Sequence, residues 1–128
     1  MVEMDWLIHI PALESLHLQG CKLLEVVLND SHVLSEYEED QKVFSKLTTI
    51  TLFDLPRLTA LCPRALPFPL LERMRVTLCP SLKKLPFNSR SARNRLEEIT
   101  GWPPWWDLLE WEDEMIEPIF HAHFKPSN

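Results

Sequence analysis

Leu13, Leu16, Leu18, Cys21, Leu24 and Val27 form a spaced apolar series that the chain repeats twice. Moving 34 residues on gives Leu47, Ile50, Leu52, Leu55, Leu58 and Leu61; a further 24 gives Leu71, Met74, Val76, Cys79, Leu82 and Leu85. All eighteen positions are apolar, although the chain as a whole is only 45% hydrophobic. So regular a series leaves few folds open. Leu-x-x-Leu-x-Leu puts apolar side chains on alternate positions of a short strand, burying one face and freeing the other. One such unit cannot enclose its own apolar face, so copies must stack.

The pattern therefore predicts an α/β repeat: a leucine-rich-repeat solenoid with short parallel strands on the concave face and irregular convex arms. Cys21 and Cys79 fall where the chain turns off the strand and a small residue is enclosed. Two residues, instead of the usual one, separate this slot from the next leucine. A 24-residue step is ordinary for such repeats, so the 34-residue step carries about ten extra residues. Residues 29–40 (NDSHVLSEYEED) hold five acids and account for them as an acidic convex-side loop insertion.

Residues 13–95 thus read as three repeats. Residues 96–128 read as a partial fourth, opening at Leu96 and Ile99, followed by a C-terminal Trp-rich helical cap. Trp102, Trp105, Trp106 and Trp111 are four of the five tryptophans. Leu108, Leu109, Trp111, Met115, Ile116 and Ile119 recur at helical spacing, with Asp107 as N-cap and Pro118 limiting the end. An aromatic platform for bases or sugars is the sharper reading of the tryptophans. The acidic surroundings oppose it, because they would repel phosphate. At the other end, residues 1–12 read as the tail of a preceding repeat. An array opened there exposes an apolar cross-section, so the isolated chain is expected to be marginally stable or self-associating.

Composition excludes several functions. Two glycines and the absence of G-x-G-x-x-G or G-x-x-x-x-G-K leave no phosphate-cradling loop. Three cysteines cannot all pair, which favours a reducing compartment over a disulfide framework. No apolar stretch is long enough to span a membrane. Acidic Glu3 and Asp5 stand where a signal peptide would be basic, so a soluble, cytoplasmic chain is expected.

No catalytic constellation emerges either. His121 and His123 lack a third ligand nearby, Cys21 and Cys79 are explained by burial, and Cys62 has no histidine near it in sequence. Glu110, Glu112, Asp113 and Glu114 read as a solvated face. The expected chain is not an enzyme, binds no metal and holds no cofactor.

What remains is the free side of the strands, formed by Ser15, His17 and Gln19, then Thr49, Thr51 and Phe53, then Arg73, Arg75 and Thr77. An aromatic beside arginines suits a protein interface. Charge is segregated along the chain: residues 1–42 sum to -7, 43–100 to +6 and 101–128 to -5. The basic middle (Arg73, Arg75, Lys83, Lys84, Arg90, Arg93, Arg95) suits an acidic protein surface better than nucleic acid, given the acids flanking it.

Several motifs in order carry a family resemblance. They are Ile10-Pro-Ala-Leu-Glu-Ser-Leu, the acidic stretch before Phe44-Ser-Lys-Leu, Asp54-Leu-Pro-Arg-Leu, Phe68-Pro-Leu-Leu-Glu, Cys79-Pro-Ser-Leu-Lys-Lys-Leu-Pro-Phe and Trp105-Trp-Asp-Leu-Leu-Glu-Trp-Glu-Asp-Glu. Together they resemble the C-terminal repeats of plant disease-resistance proteins of the coiled-coil, nucleotide-binding leucine-rich-repeat class. The resemblance implies the repeat region of an intracellular receptor. Such a region contributes to recognising a pathogen effector or a guarded host protein, and holds the receptor's own nucleotide-binding switch domain inactive. ADP or ATP belongs to that switch domain, none of whose motifs occurs in these 128 residues. The alternative is a stand-alone truncated adaptor, decoy or gene remnant without signalling activity. An extracellular repeat-type enzyme inhibitor is disfavoured by the acidic start and the odd cysteine count.

Overall fold

The computed structural model describes residues 12–27, 45–61, 68–87, 95–111 and 114–126. Within them one parallel sheet runs in strict chain order: β1 (Ser15–Gln19), β2 (Thr49–Phe53), β3 (Arg73–Thr77), β4 (Glu98–Gly101) and β5 (Phe124–Pro126). The register reproduces the sequence repeat. Leu16 pairs with Ile50 and Ile50 with Met74; Leu18 pairs with Leu52 and Leu52 with Val76. β1 and β3 alternate exposed and buried residues, as a sheet with one packed face must, and β2 and β4 likewise bury every second residue. The leucine-rich-repeat solenoid expected from the spacing is the observed architecture.

A second ladder runs behind the sheet at the same offsets. Val26, Ala60 and Lys84 form parallel bridges, and the Thr59 N–H donates to Glu25 O at 2.9 Å and the Lys83 N–H to Thr59 O at 3.3 Å. Ahead of the strands, Thr48 N–H donates to Glu14 O and Glu72 N–H to Thr48 O, both at 2.8 Å, and Glu97 N–H to Glu72 O at 2.7 Å. These rungs satisfy backbone groups that irregular arms would otherwise leave bare. Between the two ladders lies the core. Leu24, Val27, Leu47, Ile50, Leu52, Leu55, Leu58, Leu71 and Met74 are all buried.

The residue that follows each of the first three strands adopts a left-handed backbone: Gly20 at φ 69°, Asp54 at 56° and Leu78 at 54°. These are the same repeat slot, 34 and then 24 residues apart. Glycine is at ease there and aspartate tolerates it, but leucine is strained by about 1 kcal/mol or more. The Leu78 side chain is also 57% exposed, so little packing offsets the strain. Leu78→Asn is therefore expected to raise the free energy of unfolding by about 0.5–1 kcal/mol, measured by urea denaturation. An unchanged or lowered midpoint would contradict it.

The C-terminal region departs from the expected single helix. Two short helices form, α1 (Pro103–Asp107) and α2 (Ile116–His121). Asp107 is the last residue of α1 and not an N-cap. Pro103 and Pro104 open that helix, because their fixed φ suits a first turn whose N–H groups lack intrahelical partners anyway. Pro118 likewise sits in the first turn of α2 and does not end it. The apolar positions divide accordingly: Leu109, Ile116 and Phe120 are buried, while Leu108, Met115 and Ile119 are exposed. The chain then returns as β5, pairing Ile99 with Phe124 and Thr100 with Lys125, an unanticipated fifth rung.

Four of the tryptophans end up in this cap with different surroundings. Trp106 is buried, stacked on Phe124 at 4.5 Å between ring centroids and edge-on to Trp105 at 6.1 Å. Its indole N–H donates to Glu117 at 3.1 Å. Trp105 donates to Leu82 O at 2.9 Å and lays its ring against Gly101, where a Cβ would come within 2.6 Å of it. Only Trp102 projects, at 57% exposure. Most of the aromatic surface is spent covering the last repeat.

Candidate functional site

All nine residues expected on the free side of the strands lie on the unpacked face of the sheet. Ser15, His17, Gln19, Phe53, Arg73, Arg75 and Thr77 are exposed, and Thr49 and Thr51 are partly so. The register sets them in rows: Ser15, Thr49, Arg73; His17, Thr51, Arg75; Gln19, Phe53, Thr77. Each row continues across the sheet, because alternate side chains of aligned parallel strands share a face. The first two extend onto β4 and β5 through Glu98, Thr100 and Lys125. Those three were missed because the fourth unit lacks the full leucine pattern and the fifth has almost none of it.

The charges on this face are not equivalent. Arg73 pairs with Glu97 at 3.2 Å and approaches Glu98 at 4.0 Å, and Lys125 pairs with Glu98 at 3.4 Å. Arg75 makes no ion pair among the described residues. Its strand neighbours are the neutral Thr51 and Thr100. Arg75 lines a shallow depression of about 290 Å³ together with His17, Gln19, Thr51, Phe53 and Thr77. Lys83 and Lys84 stand instead with Glu110 in a separate depression that also takes in Thr59 and Ala60 of the rear ladder. The basic middle of the sequence therefore does not gather on one side; Arg90 and Arg93 lie outside the described residues.

Where β2 and β3 end, a second and more apolar groove of about 510 Å³ adjoins the sheet. Pro56, Val76, Leu78, Trp102 and Trp105 line it, with Asp54 and Thr77. Asp54 is held by Lys22 at 2.8 Å. With the two side chains 65% and 35% exposed, this pair contributes at most about 1 kcal/mol. The sequence contained one clue to this groove, a leucine in the slot otherwise filled by glycine and aspartate.

The weighed catalytic and metal candidates have structural surroundings. Cys79 is buried and its Sγ–H donates to Thr77 O at 3.4 Å. Burial pushes the Cys79 thiol up, outweighing the lowering by backbone hydrogen bonds at Leu55 and Thr77. A protonated, enclosed thiol is a poor nucleophile. Cys21, in the equivalent slot, is partly buried, and Cys62 lies outside the described residues. His121 Nδ1 is 3.0 Å from Glu117 and 3.1 Å from the indole nitrogen of Trp106, so it braces the cap. Among the described residues no group of three or more His, Cys, Asp or Glu could hold a metal ion. The acidic stretch 29–40 and residues 1–11 also fall outside them.

A solenoid that, among the described residues, turns one sheet face to solvent and packs the other against its core is the architecture of a repeat protein that works through its surface. The family model described as "Plant disease resistance protein RPS2-like, leucine-rich repeats" matches residues 1–100, and the chain belongs to that family. Among curated proteins it is 32% identical over 123 residues to probable disease resistance protein At5g47260 of Arabidopsis thaliana, covering 95% of this chain and 13% of that protein. It is 34% identical to probable disease resistance protein At4g14610 of Arabidopsis thaliana, covering 96% of this chain and 18% of that protein. With disease resistance protein RPS5 of the same species the identity is 32%, over 92% of this chain and 13% of that protein. The chain thus spans less than a fifth of the length of these relatives. No solved structure matches it. Among the described residues no helix is long and apolar enough to cross a membrane.

Proposed function

We propose that this chain is the protein-binding repeat region of an intracellular plant immune receptor. Its sheet face contributes to recognising a pathogen effector or a guarded host protein, and its contacts help hold the receptor's own nucleotide-binding domain inactive. The observation that carries this reading is the match to plant disease-resistance repeats together with a sheet whose outward rows are free to meet a partner. The role is binding and not catalysis. The nucleotide is bound by the switch domain, and these residues take part through protein contacts alone.

The test uses a full-length receptor that contains this segment. Thr51→Tyr fills the depression on the sheet face and Phe53→Ala removes its exposed aromatic ring. Either change is expected to abolish the pathogen-triggered cell-death response, or to raise the resting response, without altering protein level. Normal triggered and resting responses in both variants would refute the reading.

A further inference from the structure

Thr77 lines both the depression around Arg75 and the apolar groove at the strand ends, so the two form one continuous surface. We infer that this surface docks a protein segment presenting a carboxylate next to a large apolar side chain: Arg75 receives the carboxylate, and the groove beside Leu78 and Trp102 receives the apolar side chain. The inference rests on the protein-binding reading above and names the chemistry of the partner.

Charge selects the first half of the occupant. Arg73, Lys125 and Lys22 each have a carboxylate partner within the chain. Arg75 has none among the described residues, and the other residues lining its depression bring no carboxylate. Covering an arginine with a neutral surface strips its water without return, whereas a carboxylate restores charge-assisted hydrogen bonds. A cationic partner would meet Arg75 unshielded. The neighbouring Asp54 does not reverse the preference, because Lys22 already occupies it.

Rigidity and apolar character select the second half. Trp105 is fixed by its hydrogen bond to Leu82 O and by the close seat on Gly101. Trp102 and Leu78 remain 57% exposed on either side, and Leu78 keeps a strained backbone to stand there. A preformed apolar wall beside a charged anchor is what a mixed acidic and hydrophobic segment requires.

The experiment titrates the full chain calorimetrically with acetylated Glu-Glu-Phe-Glu-Leu, and with the same peptide carrying lysine or serine for glutamate. The glutamate peptide is expected to bind at least about ten-fold more tightly than either. Arg75→Gln should remove that preference and Arg75→Glu reverse it. Arg73→Gln, at an already neutralised site, should change affinity by less than about two-fold. Trp102→Ala, or serine for the peptide phenylalanine, should weaken binding about ten-fold. Equal affinities, no saturable binding, a loss at Arg73 as large as at Arg75, or tighter binding of a twelve-nucleotide oligothymidine would each overturn the inference. If the charge preference fails while Thr51→Tyr still disables the full-length receptor, the partner chemistry is wrong and the protein-binding reading stands. If Thr51→Tyr and Phe53→Ala both leave the full-length receptor normal, the reading falls with it.

Discussion

Phe120→Ala is expected to destabilise the chain by about 3–5 kcal/mol, although Phe120 lies outside the regular repeats. Phe120 is 1% exposed and lies in the middle of a run of rings. It stacks on Phe87 with centroids 4.8 Å apart and planes at 16°, and on Trp111 at 6.1 Å and 13°. Phe87 in turn meets Phe68 edge-on at 5.4 Å. The run ties the third repeat to the helical cap, so the cavity left by alanine would sit at the seam between them. Its lining cannot collapse without moving α2, and β5 follows α2 directly. Urea unfolding followed by tryptophan emission reads the loss, because Trp102, Trp105, Trp106 and Trp111 all report on the cap. Leu108→Ala is the control: that side chain is 66% exposed and its removal should cost less than about 0.5 kcal/mol. Equal midpoints for the two variants would show that the ring run does not hold the cap.

Gly101→Ala should cost about 1–3 kcal/mol through overpacking. The added carbon would lie 2.6 Å from two ring atoms of Trp105. That ring cannot swing away freely, since its nitrogen is engaged with Leu82 O. The second glycine behaves differently. Nothing lies within 4 Å of a Cβ at Gly20, whose left-handed φ of 69° is the constraint there. The mechanism at Gly101 can be separated from loss of backbone freedom by a double-mutant cycle. With Trp105→Ala in place, Gly101→Ala should become nearly neutral, giving a coupling of at least about 1 kcal/mol. Additive losses would mean that the indole is not the obstacle.

Most of the sheet was legible in the sequence because its determinants are local and periodic. Each of β1 to β3 carries its own alternation, and the match of all six apolar positions from one copy to the next fixes their register without knowledge of the returns. The nine outward residues followed from the same alternation. The cap was legible as apolar and aromatic but not as to element. Helical spacing from Leu108 to Ile119 points to one helix with Asp107 as its cap and Pro118 limiting its end, whereas prolines stand in the first turns of both helices. Strand β5 had no signal of its own: only Phe124 of its three residues turns toward the core, and Ile99 decides its place by pairing. The apolar groove was hidden because it forms between β3's exit and a cap some two dozen residues later. Ion pairing was hidden for a similar reason, since Arg73 and Arg75 look alike until Glu97 and Glu98 arrive beside only one of them.

The matching residue-by-residue register across a 34-residue step and a 24-residue step has a consequence for how such a chain can change. Rungs of the ladder align regardless of how much chain is spent between them. A gain or loss of residues in one return therefore leaves the alignment of every outward row intact. The outward rows and the returns behind them can diversify separately, the first by substitution and the second by length.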